Sequence, residues 1–158
     1  MAEKILVPLD GSKVGEAALP FVEELVTKFL PELKVEVTLM QVISSLSYYI
    51  AAGEESVRIP YTEQEIEQMK KKASQYLTKA GGALEKKGAS IKVRVAVGNP
   101  AEEIIKAADE INADIIAMSS HGRSGFSRWA FGSVTDRVLR GGNKPVLVVK
   151  ASKEAQQT

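Results

Sequence analysis

The sequence predicts a single-domain α/β fold: an open, five-stranded parallel sheet with helices on both faces, Rossmann-like in architecture. Three observations carry this. Short apolar runs alternate with helical periods from one end of the chain to the other. Several of those runs are continuous rather than alternating, as in strands buried on both faces. The 158 residues, 44% of them hydrophobic, are enough for one core, and neither an internal repeat nor a domain boundary interrupts them. Residues 1–150 therefore read as one domain and residues 151–158 as a polar tail.

The first strand is the run at residues 5–9, and Ser12 can cap the helix after it, where Val14, Ala18, Phe21 and Leu25 recur at helical spacing. Pro20 falls inside that helix and should kink it, and Pro31 should end it. Val35, Val37, Leu39 and Val42 mark the second strand. Residues 44–62, with Tyr48, Tyr49, Gly53 and Pro60, fit neither period and read as a loop or lid carrying at most a short helix. A long helix then runs over residues 63–87 on Ile66, Met69, Ala73, Tyr76, Ala80 and Leu84, with Gly81-Gly82 as a break or tight contact. Ile91, Val93, Val95 and Val97 alternate as strand three. Gly98-Asn99-Pro100 turns into a helix with Pro100 near its first position. Residues 113–118 form strand four, residues 132–140 a helix stopped by Gly141-Gly142, and residues 145–149 strand five.

Composition excludes several functions. The charges nearly cancel, 21 Lys plus Arg against 20 Asp plus Glu, so the chain offers no basic field for nucleic acid. With no cysteine there are no disulfides, thiolate nucleophiles or thiolate metal sites. The N-terminus lacks a signal-peptide pattern and no apolar run is long enough to span a membrane. A cytoplasmic protein without nucleic-acid or membrane partners is expected.

The chemistry concentrates after strand four. Ser119-Ser120-His121-Gly122 ends a buried strand, and Gly132-Ser133 opens the next helix after nine intervening residues. Small residues bare the backbone, and a helix start presents unpaired N–H groups and a positive dipole end, so the turn suits an anion. Gly122, Gly125 and Gly132 allow close approach, and Ser133 adds a hydroxyl. Neither a Gly-x-x-x-x-Gly-Lys-Ser/Thr loop nor a Gly-x-Gly-x-x-Gly turn after strand one is present. In such sheets ligands bind beyond the carboxyl ends of the strands, which puts Asp10, Val42 and Ser119 around one crevice.

Each singled-out side chain also has a plainer reading. His121, the only histidine, lacks partners for metal or proton-shuttle work and suits loop hydrogen bonding. Arg123 and Arg128 can pair with phosphate or simply be solvated, and Trp129 suits packing. Asp10 is either the acid of an Asp-Gly turn or an acceptor for a ribose or metal-bound water. Glu54-Glu55 have no proton-transfer partner, and no acid/base pair is assigned.

Beyond these residues the chain resembles the universal stress proteins. The resemblance rests on residues 5–12, on Gly98-Asn99-Pro100, on residues 118–125, on Gly132-Ser133-Val134 and on residues 144–149. Nucleotide-binding members carry Gly-x2-Gly-x9-Gly-Ser/Thr. Gly122, Gly132 and Ser133 match this signature, and Ser119 replaces its first glycine. The resemblance implies that Pro8, Leu9 and Asp10 meet the ribose and adenine side, that Val42 meets adenine through its backbone, and that Met118 borders the pocket. It further implies phosphate contacts at Gly122, Gly132, Ser133 and Val134, with Ser119, His121, Arg123 and Gly125 in the same loop. The implied ligand is ATP or AMP, with Mg²⁺ or Mn²⁺ accompanying ATP on its phosphates rather than on protein ligands. It also implies a homodimer through residues 146–149, an apolar edge that needs cover.

The function expected on these grounds is a nucleotide-dependent dimeric switch in a stress response or in signalling, read by a regulatory protein partner. Two alternatives stay open. One is a dimeric adaptor that needs no nucleotide. The other is a slow ATP-hydrolysing or adenylyl-transferring enzyme, for which no water-orienting group is evident near the loop.

Overall fold

Apolar side chains at odd and even positions of the same strands enter two different cores, and this divides the molecule into layers. The computed structural model describes residues 2–29, 32–122 and 130–151. Along the chain these form β1 (Ala2–Pro8), a 3-10 turn (Val14–Ala17), α1 (Ala18–Phe29), β2 (Lys34–Ile43), β3 (Ser47–Ala52) and β4 (Glu55–Pro60). There follow α2 (Glu63–Ala80), α3 (Gly82–Lys86), β5 (Ser90–Val97), α4 (Pro100–Glu110), β6 (Ile115–Ser119), α5 (Ser133–Gly141) and β7 (Val146–Val149).

The main sheet has five strands in the order β5-β2-β1-β6-β7, all parallel. Ile5 and Val7 of β1, Leu9 just beyond it, and Val35, Val37 and Leu39 of β2 pack with Ala18, Val22 and Val26 of α1, Leu77 of α2 and Leu84 of α3. On the opposite face Leu6, Met40, Ile116 and Met118 pack with Ala101, Ile104, Ala107 and Ala108 of α4 and Val138 of α5. A strand covered on both faces needs apolar residues at every position, hence the unbroken Ile5-Leu6-Val7. The chain first winds outward from β1 through β2 to β5, then crosses to β6 and β7 on the other side. The strand order thus reverses at β1, so a crevice opens beyond its carboxyl end.

Two expectations need correction. Residues 44–62 are not an irregular loop: most form the antiparallel hairpin of β3 and β4, paired from Ser47 with Pro60 to Ala52 with Glu55. The two-residue connection Gly53-Glu54 puts Gly53 at φ 72°, a conformation that tight hairpins use and glycine adopts without strain. Tyr48, Ile50, Val57 and Ile59 share one face of the hairpin, so the period was two. Second, Pro20 does not kink a helix. The segment begins as the 3-10 turn, and α1 starts at Ala18, which leaves Pro20 in its first turn, where a missing N–H removes no helical bond. The helical stretch over residues 63–87 is divided into two helices at Gly81, where the Gly81-Gly82 pair was expected to give a break or tight contact.

The remaining elements appear close to where they were expected. Asn99 caps α4 by accepting from the Glu102 N–H, with Pro100 at the start of the helix. Thr62 and Glu65 form a capping box on α2. Pro31 and the tail beyond Ala151 lie outside the described residues. Among the described residues no helix is long and apolar enough to cross a membrane.

Candidate functional site

β1 ends at Pro8 and the chain then folds back onto its own carboxylate. Asp10 Oδ1 accepts from the Ser12 N–H at 2.9 Å and from the Ser12 hydroxyl at 2.6 Å, closing an Asx turn. Ser12 Oγ accepts from the Gly15 N–H at 3.0 Å, so the capping bond expected of Ser12 is made to the 3-10 turn. The carboxylate lies in a slot between two glycines. A Cβ on Gly15 would stand 2.4 Å from Oδ1, and one on Gly122 would stand 2.5 Å from Oδ2. Asp10 is therefore both the turn residue and part of the crevice wall.

The end of β6 is tied to both of its neighbours. Ser119 Oγ donates to the Val14 carbonyl at 2.7 Å, and the Ser119 carbonyl accepts from Thr135 Oγ1 at 2.9 Å. Among described non-glycine residues only Asn112 has a positive φ, so serine stands at position 119 without backbone strain. Its hydroxyl makes a bond that glycine could not.

Next to it runs a relay of hydrogen bonds. The Ala151 N–H donates to Ser120 Oγ at 2.9 Å, and Ser120 Oγ lies 2.9 Å from His121 Nδ1. His121 Nε2 lies 2.5 Å from the Ala130 carbonyl, which can only accept, so Nε2 carries the proton and Nδ1 accepts from the Ser120 hydroxyl. His121 is buried and holds the loop to the sheet, as its plainer reading expected.

α5 begins beside this relay. Gly132 is its N-cap and offers no side-chain cap, while the Gly132 N–H donates to the Ser120 carbonyl at 2.8 Å. Helix starts of this kind keep backbone donors for an anion. A cavity of about 280 Å³ joins these parts, with Pro8, Leu9, Met40, Val42, Ile104 and Met118 as its largely apolar lining. Asp10, Ser119, His121 and the Gly132–Thr135 stretch supply its polar side. Such a site can hold a flat apolar group with a hydrogen-bonding middle and an anionic end.

Of the residues singled out in the sequence, Pro8, Leu9, Asp10, Val42, Met118, Ser119, His121, Gly122, Gly132, Ser133 and Val134 all line this cavity. Arg123, Gly125, Arg128 and Trp129 lie outside the described residues. The sequence reading missed Gly15, Met40, Ser44, Pro100, Ile104 and Thr135. Only Thr135 carried a usable signal, a hydroxyl two residues past Ser133 on the same helix start. Among the described residues no group of three or more acidic or histidine side chains is placed to hold a metal ion.

Comparison with known proteins places this geometry in context. The model of the universal stress protein family matches residues 1–150. Universal stress protein MJ0577 of Methanocaldococcus jannaschii is 35% identical over 161 residues, spanning 95% of this chain and 96% of that one. The solved structure of MJ0577 superposes with a TM-score of 0.73 at 32% identity, over 97% of this chain and 99% of its own. A universal stress protein solved in complex with cAMP gives a TM-score of 0.63 at 22% identity, covering 96% of this chain and 98% of that one. One from Arabidopsis thaliana with AMP bound gives 0.62 at 15% identity, covering 96% and 94%. At those identities the last two establish the shared fold.

Proposed function

This chain belongs to the universal stress protein family, and on that premise we propose that it binds an adenine nucleotide, ATP or AMP, in the crevice beyond β1, β2 and β6. The observation that carries the reading is the uncapped start of α5 at one end of a largely apolar cavity, with Asp10 on the same wall. Adenine suits the apolar part, the ribose hydroxyls suit Asp10, and phosphate suits the backbone donors at Ser133 and Val134, the Gly132 N–H being taken by the Ser120 carbonyl. Two proteins of this fold were solved with AMP and with cAMP, which supports the same class of ligand here. Mg²⁺ or Mn²⁺ would arrive on the phosphates of ATP, since that ion needs few protein ligands.

Binding rather than turnover fits the residues, because among the described residues that line the cavity no hydroxyl is hydrogen-bonded to a base that could activate it. The nucleotide then acts as the ligand of a switch that a regulatory protein reads. Calorimetric titration of the purified chain with AMP and with ATP plus Mg²⁺ should give saturable binding, and Gly132→Trp should abolish it by filling the phosphate end. Absence of binding heat at several temperatures would point instead to an adaptor that needs no nucleotide.

The switch also needs a second subunit. β7 is an edge strand whose valines are only partly buried, and edges of this kind are usually covered. A homodimer through β7 should scatter light as two chains of 17.1 kDa at micromolar concentration, and the mass of one chain would end the dimer reading.

A further inference from the structure

On the α2 side of Asp10 lies a second cavity, of about 550 Å³. Asp10, Val42 and Ser44 line both cavities, so the two meet at the end of the sheet. Met69, Lys72, Ala73 and Tyr76 form one stripe of α2 along its wall, with Gln41 of β2 and Tyr61 completing it.

Two polar atoms of this lining, Gln41 Oε1 and Tyr76 Oη, are buried without a hydrogen-bond partner. Buried polar atoms rarely stay so. Burial, with the nearby carboxylates of Glu16 and Asp10, pushes the Tyr76 hydroxyl well above the ordinary tyrosine range, so it remains a neutral donor at neutral pH. Glu16 acts on it by proximity, since no acceptor meets Oη at hydrogen-bonding geometry. The Gln41 amide carries a donor and an acceptor side by side, the complement of a purine edge with its ring nitrogen and amino group. Met69, Ala73 and Val42 offer apolar contact to a ring, and the exposed Lys72 offers a cation to a phosphate.

We propose that this cavity is a second nucleoside subsite, and that the full ligand is a dinucleotide whose phosphodiester leaves the ribose of the first nucleotide. The inference rests on the nucleotide reading above. Position decides the linkage: the cavities meet at Asp10, where the first ribose would lie, whereas the 5′-phosphates point to α5 on the other face. Lys72 then pairs with the linking phosphate, and Gln41 reads the second base.

The test is calorimetric titration of the full chain with three probes: AMP, 5′-phosphorylated diadenylate (pApA), and diadenosine tetraphosphate, whose nucleosides join through their 5′ ends. We expect pApA to bind at least about tenfold tighter than AMP, and diadenosine tetraphosphate to show no such advantage. Gln41→Leu and Lys72→Met should each bring pApA within about threefold of AMP, with AMP affinity unchanged. Equal affinities for AMP and pApA would overturn the proposal, as would an advantage that both variants retain or that diadenosine tetraphosphate shares. Failure of AMP itself to bind would overturn the mononucleotide reading together with this one, a result distinct from AMP binding without a preference for pApA.

Discussion

Gly122→Ala should weaken adenine-nucleotide binding by about tenfold or more, roughly 1.4 kcal/mol, although it adds a single methyl group. The new Cβ would stand 2.5 Å from Asp10 Oδ2. A side-chain tip can often swing away from such an intrusion, but this one is held. Its other oxygen accepts two hydrogen bonds from Ser12 and faces Gly15 across an equally narrow gap. Relief therefore requires the turn at residues 10–15 or the chain at Gly122 to move, and both border the crevice. Overpacking of this kind costs about 1–3 kcal/mol, so thermal unfolding should register it as well. Titration with AMP checks the binding loss, and a double-mutant cycle checks its cause. In an Asp10→Ala background the obstructing carboxylate is gone, so Gly122→Ala should then add little. Full additivity, or unchanged AMP affinity in the single variant, would show that the slot does not govern the site.

Leu6→Ala should lower stability by about 2–5 kcal/mol, the range for a leucine truncated in a close-packed core. Leu6 is on the central strand, is 0% exposed, and packs with Met40, Ile104 and Ile116 beneath the helices of one face. Those neighbours belong to three other elements fixed by the sheet, so they can close the gap only by moving a strand or α4. Denaturant titration should show the midpoint falling, and melting should drop by about 2–4 °C for each kcal/mol in a domain of this size. Leu139 is the control. It is 43% exposed on α5, and Leu139→Ala should stay within about 0.5 kcal/mol. Equal losses at the two positions would mean that burial does not set the cost.

The sheet was legible because its central strands are buried on both faces, which imposes apolar runs on a short chain. The crevice followed from the same fact, since strand ends rich in small residues are where this architecture leaves backbone exposed. Residues 44–62 were misread because Tyr49, Ala51 and Ala52 blur the alternation of the first strand and because both strands are exposed, so no burial enforces a pattern. Pro20 was misjudged because a helix start cannot be fixed to within a turn when a 3-10 segment precedes it. The fold also explains the departure at Ser119. Sequence alone framed it as a lost glycine, whereas its hydroxyl reaches Val14, 105 residues away along the chain. Contacts of such separation leave no local trace, and Met40, Pro100 and Ile104 entered the cavity lining equally unannounced.

One chain of bonds ties distant parts of the molecule into a single lever. The amide of Ala151, just past the edge strand, hangs on Ser120, which engages His121, which grips Ala130 at the far end of the glycine loop. β7 is bolted to the same point, because its last carbonyl, at Val149, takes the Ser120 N–H. The outer edge and both ends of the loop are therefore joined by direct hydrogen bonds as well as through the core. If a subunit on β7 and an anion at α5 both act on this point, linkage requires that each change the other's affinity by the same factor.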